Sequence, residues 1–153
     1  ALMRYRALCM WIALLTQVWE QQNMNFIRDE LDTDGVLVNG QTLVNVGINN
    51  IKEIYEAFGV DIDKLSSWPK IVELRHLVNV IKHVEGNSAN KLRILRPDYF
   101  NTDGWGDPLE LYRNSLNNEA MNVSEEDLTE YHVAVVQFWQ ELPPVLVSKQ
   151  KYF

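Results

Sequence analysis

The sequence predicts an all-α protein, a bundle of four main helices with a short extra helix and loop-rich connections. Apolar residues recur at helical spacing through most of the 153 residues, and no segment shows strand-like alternation of comparable strength. A hydrophobic content of 46%, with five Trp, six Tyr and five Phe, excludes a disordered chain. This length favours one domain over residues 1–153, and the absence of a starting Met is compatible with a piece of a longer protein.

The first helix is predicted over residues 2–31 and is apolar on more than one face. One stripe consists of Leu8, Ile12, Leu15, Trp19, Gln22 and Phe26, and a second of Ala7, Trp11, Leu14 and Val18. No charge lies between Arg6 and Glu20, so the helix either occupies the middle of the bundle or contacts another subunit. The apolar run is too short for a bilayer span and lacks a signal-peptide cleavage site, so we expect no membrane association.

Residues 29–40 form a turn-rich linker with Asp-Gly and Asn-Gly pairs. A calcium loop is an alternative, with Glu30, Asp32 and Asp34 as ligands. Its closing position would be Gln41, where such loops need a bidentate Glu. The sequence therefore favours a solvated loop that includes a short hairpin.

The second and third helices are predicted over residues 42–58 and from residue 68 to residues 86–87. Gly59 ends the second helix, while Ser66 or Ser67 caps the third, with Pro69 in its first turn. The third helix has an apolar arc of Ile71, Leu74, Leu77, Val78, Ile81 and Val84. A short helix over 88–95 should stop before Pro97, because the residue before a proline disfavours helical geometry.

The last third of the chain contains a loop, a segment of undetermined conformation and the closing helix. The loop covers residues 101–108 and should tuck Trp105 under the bundle, and residues 109–123 fit either an extended or a partly helical conformation. The closing helix is predicted over 124–142, with Ser124 as its cap and Asp127 three residues later. Prolines 143 and 144 end it, and its spacing places His132 at the edge of the core.

The third helix carries Arg75, Asn79 and His83 at successive four-residue steps. A four-residue step turns by only about 40° beyond a full turn, so the three side chains share one face. An imidazole can move a proton to or from a hydroxyl, an arginine can hold a phosphate, and an amide can orient either group. These residues suit metal-independent cleavage of an RNA phosphodiester by its own 2′-hydroxyl group, so we expect no metal and no cofactor. A metal site of Glu73, His76 and His83 would lack a further carboxylate or Cys ligand.

The charge distribution limits the way in which nucleic acid could bind. A formal net charge of −7 argues against binding through bulk electrostatics, although Lys82, Lys91, Arg93 and Arg96 form a local basic run. The single Cys9 excludes an intrachain disulfide and indicates a reducing, cytoplasmic environment.

The segment from Asn79 to His83 is similar to the Arg-Asn-x-x-x-His motif of HEPN domains, and most of the chain resembles that family. The apolar first helix, with the run WEQQ at 19–22, and the closing Phe138-Trp139 helix also resemble it. Val78 occupies the usual Arg position, and Arg75 lies one turn earlier. The resemblance implies a metal-independent ribonuclease of a toxin–antitoxin or antiphage defence system. It also implies a homodimer in which two Arg/His sites meet.

Two functions follow as hypotheses. In the first, the chain is an endoribonuclease with Arg75, Asn79 and His83 as catalytic residues. Lys82 and Glu20 are then binding residues. Glu20 is included because an acidic group on an uncharged helix needs a partner, such as Arg75 or His83. In the second, the chain is a non-catalytic module that binds a partner protein or a nucleotide in a defence or regulatory assembly. The expected partners are RNA, an antitoxin or partner domain, and a second copy that docks through the first helix or the third-helix face.

Purely structural roles are also compatible with the same residues. His83 would then be a hydrogen-bonded helix residue, and Arg75 would pair with Glu73, Glu85 or Glu20. Lys82 would be solvated.

Overall fold

The computed structural model describes residues 1–28, 37–38, 41–42, 48–100 and 106–143, and its fold is all-α, as predicted. The described part of the chain contains six α-helices: α1 Leu2–Phe26, α2 Ile51–Ala57, α3 Trp68–His83, α4 Asn87–Leu95, α5 Pro108–Tyr112 and α6 Glu125–Glu141. Two short strands, β1 Leu37–Val38 and β2 Gln41–Thr42, pair antiparallel with Leu37 opposite Thr42. All five predicted helices are present, and α5 is added within the segment of undetermined conformation.

Two helix boundaries differ from the predicted ones by several residues. Helix α2 begins at Ile51 and not at residue 42, because Thr42 pairs in β2. Helix α3 ends at His83, since Val84 adopts a left-handed backbone with φ 65°. Helix α1 is described to Phe26. The predicted end of the first helix at 29–31, most of the calcium loop and the loop around Trp105 lie outside the described residues.

The chain forms two compact units, each assembled from two separate segments. Unit 1 consists of Ala1–Thr16 and Pro69–Ala134, and unit 2 consists of Gln17–Trp68 and Val135–Phe153. Helices α1 and α6 therefore contribute residues to both units.

The core of unit 1 is built on the apolar arc of α3. Ile71, Leu74, Leu77, Val78 and Ile81 are all buried, as their spacing predicts. Each large apolar side chain removed from water stabilises the fold by about 1.5–3 kcal/mol. Cys9 on α1 is completely buried in the same unit, and burial raises the pKa of its thiol to about 11. His132 is exposed on α6, so its predicted position at the core edge is wrong.

A partly buried group of charges also holds unit 1 together, with Arg96 at its centre. The Arg96 guanidinium lies 2.8 Å from Asp98, 3.1 Å from Asp127 and 3.6 Å from Glu73, and it stacks 4.0 Å from the ring centre of Tyr99. The side chains of Asp127 and Glu73 are each only 9% exposed, so their charges are stabilised by this arginine and not by water.

Asp127 serves a second purpose at the start of α6. Its Oδ2 accepts hydrogen bonds from the backbone N–H of Ser124 at 2.8 Å and from the Ser124 hydroxyl at 2.9 Å, while the Asp127 N–H donates to Ser124 Oγ at 3.2 Å. This reciprocal pair confirms the predicted cap of the last helix.

An aromatic cluster forms the core of unit 2. Trp19 packs against Phe138 with ring centres 5.4 Å apart and against Trp68 at 6.3 Å. Tyr55 contacts Phe138 at 5.9 Å and donates its hydroxyl to Asn23 Oδ1 at 2.8 Å. Such aromatic pairs combine a large apolar area with a fixed geometry, so this cluster sets the packing of α1, α2 and α6 in the unit.

The second apolar stripe of α1 is not covered. Trp11 is 61% exposed, Leu14 45% and Val18 41%, so the prediction that the other helices of the chain bury both apolar stripes is wrong. Contact with another subunit remains the prediction for this face. Across the described residues, no α-helix combines the length and the apolar character that a bilayer crossing requires.

Candidate functional site

Helix α3 places the predicted site residues in different environments. Asn79, Lys82 and His83 are exposed, whereas Arg75 is half-buried. The helix runs unbroken from Trp68 to His83, so Arg75 and His83 lie about 12 Å apart along its axis. Glu20 belongs to unit 2 and the other four residues to unit 1, so the pairing of Glu20 with Arg75 or His83 stays a prediction.

Ser88, at the start of α4, connects two residues of α3. Asn79 Nδ2 donates to Ser88 Oγ at 3.2 Å, and His76 Nδ1 lies 3.4 Å from the same oxygen. Burial lowers the pKa of His76, and the charges of Lys91 and Arg75 lower it further, which favours the neutral ring beside the Ser88 hydroxyl. The Asn79 amide therefore forms a hydrogen bond with the start of α4, a contact that the sequence did not reveal.

The metal set that the sequence disfavours contains Glu73, His76 and His83, and the structure gives the first two of these residues different partners. Glu73 accepts from Lys70 Nζ at 3.0 Å, and His76 contacts Ser88. In the residues with described side chains, no group of three or more His, Cys, Asp and Glu residues is arranged to hold a metal ion.

The turn that follows α3 contains an unusual backbone conformation. Val84 has φ 65°, although a β-branched residue rarely adopts the left-handed region. Its N–H still donates to the Val80 carbonyl oxygen at 2.8 Å, and Gly86 then has φ 146°. Strain of this kind costs about 1–3 kcal/mol and concentrates at functional sites. The turn ends α3 at His83 and starts α4 four residues later.

His83 borders an open cavity of about 730 Å³. The described residues that line it come from the end of α3, from α4 and from α5, all within unit 1, and are His83, Val84, Glu85, Asn90, Arg93, Glu110 and Arg113. Arg75, Asn79 and Lys82 are not among them. The structure therefore separates His83 from the rest of the predicted row and joins it to acidic and basic residues that lie far away in the sequence.

Arg93 lies in the wall of the cavity and binds two carboxylates. Its Nη2 donates to Glu85 Oε1 at 2.8 Å, and its Nε donates to Asp107 Oδ2 at 2.8 Å. The hydrogen bond to Glu85 raises the pKa of Arg93, as does that to Asp107, and the guanidinium also lies 5.0 Å from the ring centre of Phe100. This arginine ties the α3–α4 turn and α5 to α4.

Asp107 fixes the position of α5. Its Oδ1 accepts the backbone N–H groups of Leu109 at 2.9 Å and of Glu110 at 3.3 Å, and Leu109 is completely buried. The helix ends at Arg113, whose φ is 50° and whose N–H donates to the Leu109 carbonyl oxygen at 2.9 Å. Glu110 and Arg113 therefore lie at the cavity because α5 is capped by Asp107 and anchored by the buried Leu109. The sequence signal was the Asp-Pro pair at 107–108, a typical helix start.

The predicted basic run does not form one cationic surface. Arg93 and Arg96 are engaged by carboxylates, as described above, whereas Lys82 and Lys91 are exposed. Because the protein as a whole is acidic, an anion can be attracted only by individual cationic side chains and not by the overall charge.

The chain was also compared with known proteins. No protein-family model matches it, and neither the curated proteins nor the solved structures give a significant match.

Proposed function

We propose that the chain is a HEPN-like, metal-independent endoribonuclease of a toxin or antiphage defence system, and that cleavage takes place at the His83 cavity of unit 1. The observation that carries this proposal is the position of His83, an exposed imidazole in one cavity with a carboxylate, Glu110, and a guanidinium, Arg113. These are the groups that a proton-transfer reaction at a phosphodiester requires.

The reaction that suits these groups needs no external nucleophile. The ribose 2′-hydroxyl attacks the adjacent phosphorus, the 2′-O–P bond forms and the P–O5′ bond breaks. The Glu110 carboxylate takes the proton of the 2′-hydroxyl, and the His83 imidazolium gives a proton to the departing 5′-oxygen. The products are a 2′,3′-cyclic phosphate and a free 5′-hydroxyl group.

The remaining predicted residues act around this centre and not in it. Lys82 is exposed next to His83 and would contact the RNA backbone. Asn79 holds Ser88 and so sets the start of α4, and Arg75 lies farther along α3 and contributes to the low pKa of His76. In this proposal Asn79 and Arg75 are positioning residues.

Cleavage of structured RNA in EDTA tests the proposal. The wild-type protein should cut, leave cyclic phosphate ends and lose this activity in His83→Ala and in Glu110→Gln. His132→Ala is a matched control, because His132 is another exposed histidine of unit 1 and lies outside the cavity. The proposal is overturned when the wild type cuts none of a varied set of RNAs, or when His83→Ala retains full activity.

A non-catalytic binding module is the second candidate, and exposed apolar residues on α1 favour it. Met3 is 72% exposed, Met10 66%, Trp11 61% and Leu14 45%, and their spacing places them along one side of the helix. A continuous apolar surface of this kind marks a protein interface, with an antitoxin, a partner domain or a second copy. Light scattering of the wild type and of Trp11→Glu distinguishes the self-associated form, since a strict monomer at high micromolar concentration excludes the homodimer.

A further inference from the structure

We infer that Arg113 is the anion-binding residue of the His83 cavity and that the cavity selects a phosphodiester over a terminal phosphate. This inference deepens the proposed function and rests on it for the identity of the substrate as RNA. The binding of a phosphodiester by Arg113 can nevertheless be measured without any cleavage.

Arg93 is the other guanidinium of the cavity, and it is already occupied. Its Nη2 and Nη1 donate to the Glu85 carboxylate at 2.8 and 3.3 Å, and its Nε donates to Asp107 at 2.8 Å. Two negative charges therefore compensate this cation before any ligand arrives. A phosphate that displaced either carboxylate would leave it unpaired and would release α5, which makes Arg93 a poor anion site.

The cations of α3 are also unsuited to this position. Arg75 and Lys82 do not line the cavity, and Arg75 is half-buried. Arg75 lies about 12 Å along the helix axis from His83, a distance that a long side chain recovers only in part.

Arg113 satisfies the requirements that the other cations fail. It lines the same cavity as His83 and is exposed, and in the described part of the chain its side chain forms no hydrogen bond or ion pair. Its backbone is held by the bond to the Leu109 carbonyl oxygen. A guanidinium presents parallel N–H groups that match two phosphate oxygens, so Arg113 can bind a phosphate without breaking an existing contact.

The charges of the cavity indicate which phosphate it prefers. Arg93 is paired with both Glu85 and Asp107, so the Glu110 carboxylate and the Arg113 guanidinium are the acidic and basic side chains of the cavity wall that form no ion pair within the described residues. A phosphodiester carries one negative charge, which Arg113 can balance. A terminal phosphate carries nearly two at neutral pH and would meet the repulsion of Glu110.

An NMR titration tests the inference on the intact chain. The probe is the 2′-deoxy dinucleotide TpT, which has one phosphodiester, no terminal phosphate and no 2′-hydroxyl, so that it cannot be cleaved by this route. We expect TpT to shift the His83 ring signals of the wild type and to bind more tightly than thymidine 3′-monophosphate. Arg113→Ala should weaken TpT binding about tenfold, the loss of roughly one charge-assisted contact, and Arg113→Lys should weaken it less.

Arg4→Ala is the matched control, because Arg4 is an exposed arginine of unit 1 that lies outside the cavity. It should bind TpT as the wild type does, with far-UV circular dichroism confirming that each variant is folded. The inference is overturned if TpT leaves the wild-type His83 signals unchanged, if Arg113→Ala binds equally well, or if the monophosphate binds more tightly than TpT. Binding of TpT that depends on Arg113, in a protein that cleaves no RNA, would support the inference and overturn the proposed ribonuclease.

Discussion

Arg93 Nε donates to Asp107 Oδ2 at 2.8 Å, and the other oxygen of this carboxylate caps α5. One aspartate therefore joins α4 to α5 and places Glu110 and Arg113 on the wall of the His83 cavity. The contact is partly buried, with 27% of the Arg93 side chain and 16% of the Asp107 side chain exposed, so it is shielded from screening better than a surface pair.

The first prediction concerns this contact. Asp107→Ala removes the helix cap and leaves Arg93 with one carboxylate, so the free energy of unfolding should fall by about 1–3 kcal/mol. Urea unfolding measures this change. Asp107→Asn is the control, because the amide oxygen can still cap α5 and the loss should be smaller. Equal losses in the two variants would contradict the capping role.

The second prediction concerns the pH dependence of stability through His76. The pKa of His76 is lower in the folded protein than the ordinary value of 6.5, because burial and then the charges of Lys91 and Arg75 disfavour the imidazolium. Between the folded pKa and 6.5, the unfolded chain binds more protons than the folded one. The contribution of His76 is therefore fully present above pH 6.5 and is lost as the pH falls through the folded pKa.

Urea unfolding between pH 8 and pH 5 measures this slope. His76→Gln should flatten it, while His132→Gln, which changes an exposed histidine of the same unit, should leave it unchanged. A wild-type slope that survives the His76 substitution would assign the pH dependence to other groups.

The third prediction concerns the left-handed backbone of Val84. Val84→Gly removes the Cβ that disfavours φ 65° and, like Val84→Ala, loses the apolar contact of valine, so we expect the glycine variant to be about 1 kcal/mol more stable than the alanine variant. Val84→Ala keeps the Cβ and loses apolar contact, so it should destabilise the protein. The opposite order of the two variants would show that no strain is stored at this turn.

The fourth prediction concerns the acid stability of unit 1. Burial alone would raise the pKa of Asp127, but hydrogen bonds from Ser124 and Arg96 outweigh it and hold the pKa below its ordinary value. An acid with a lowered folded pKa stabilises the protein above its unfolded pKa of about 3.9, and this contribution disappears as the pH falls through the folded value.

Asp127→Asn should therefore cost about 3 kcal/mol at pH 7, because it breaks a buried pair and leaves Arg96 less compensated. The difference from the wild type should shrink towards pH 3, as measured by urea unfolding at each pH. Glu126→Gln is an exposed neighbour on the same helix turn and should change stability by no more than a few tenths of a kcal/mol.

The fold was predicted best where a helix is long and one of its faces is buried. The arc from Ile71 to Ile81 has the spacing of a helix, and the structure buries each of its members. Helix α5 has only five residues, fewer than two turns, so no periodicity could reveal it. The start of α2 was placed at residue 42, which instead pairs in a two-residue strand, too short for any periodicity to reveal.

The candidate site was predicted only in part, because tertiary packing assembles it. The position of His83 at the exposed end of α3 follows from its helix. Its neighbours in the cavity, Glu110 and Arg113, lie about thirty residues away and arrive through the contact between Arg93 and Asp107. Helical spacing could place Arg75 and Asn79 beside each other, but it could not reveal that Ser88 engages Asn79.

The burial of Cys9 gives this protein a natural reporter of its own opening. The chain has one thiol, and that thiol is inaccessible on α1 and has a pKa raised to about 11. A disulfide reagent such as DTNB can react only with molecules in which unit 1 has transiently opened, so the rate of labelling at pH 8 follows the population of that open form. A variant such as Asp127→Asn should accelerate labelling about tenfold for each roughly 1.4 kcal/mol of stability that it loses, and no chemical tag has to be introduced to observe it.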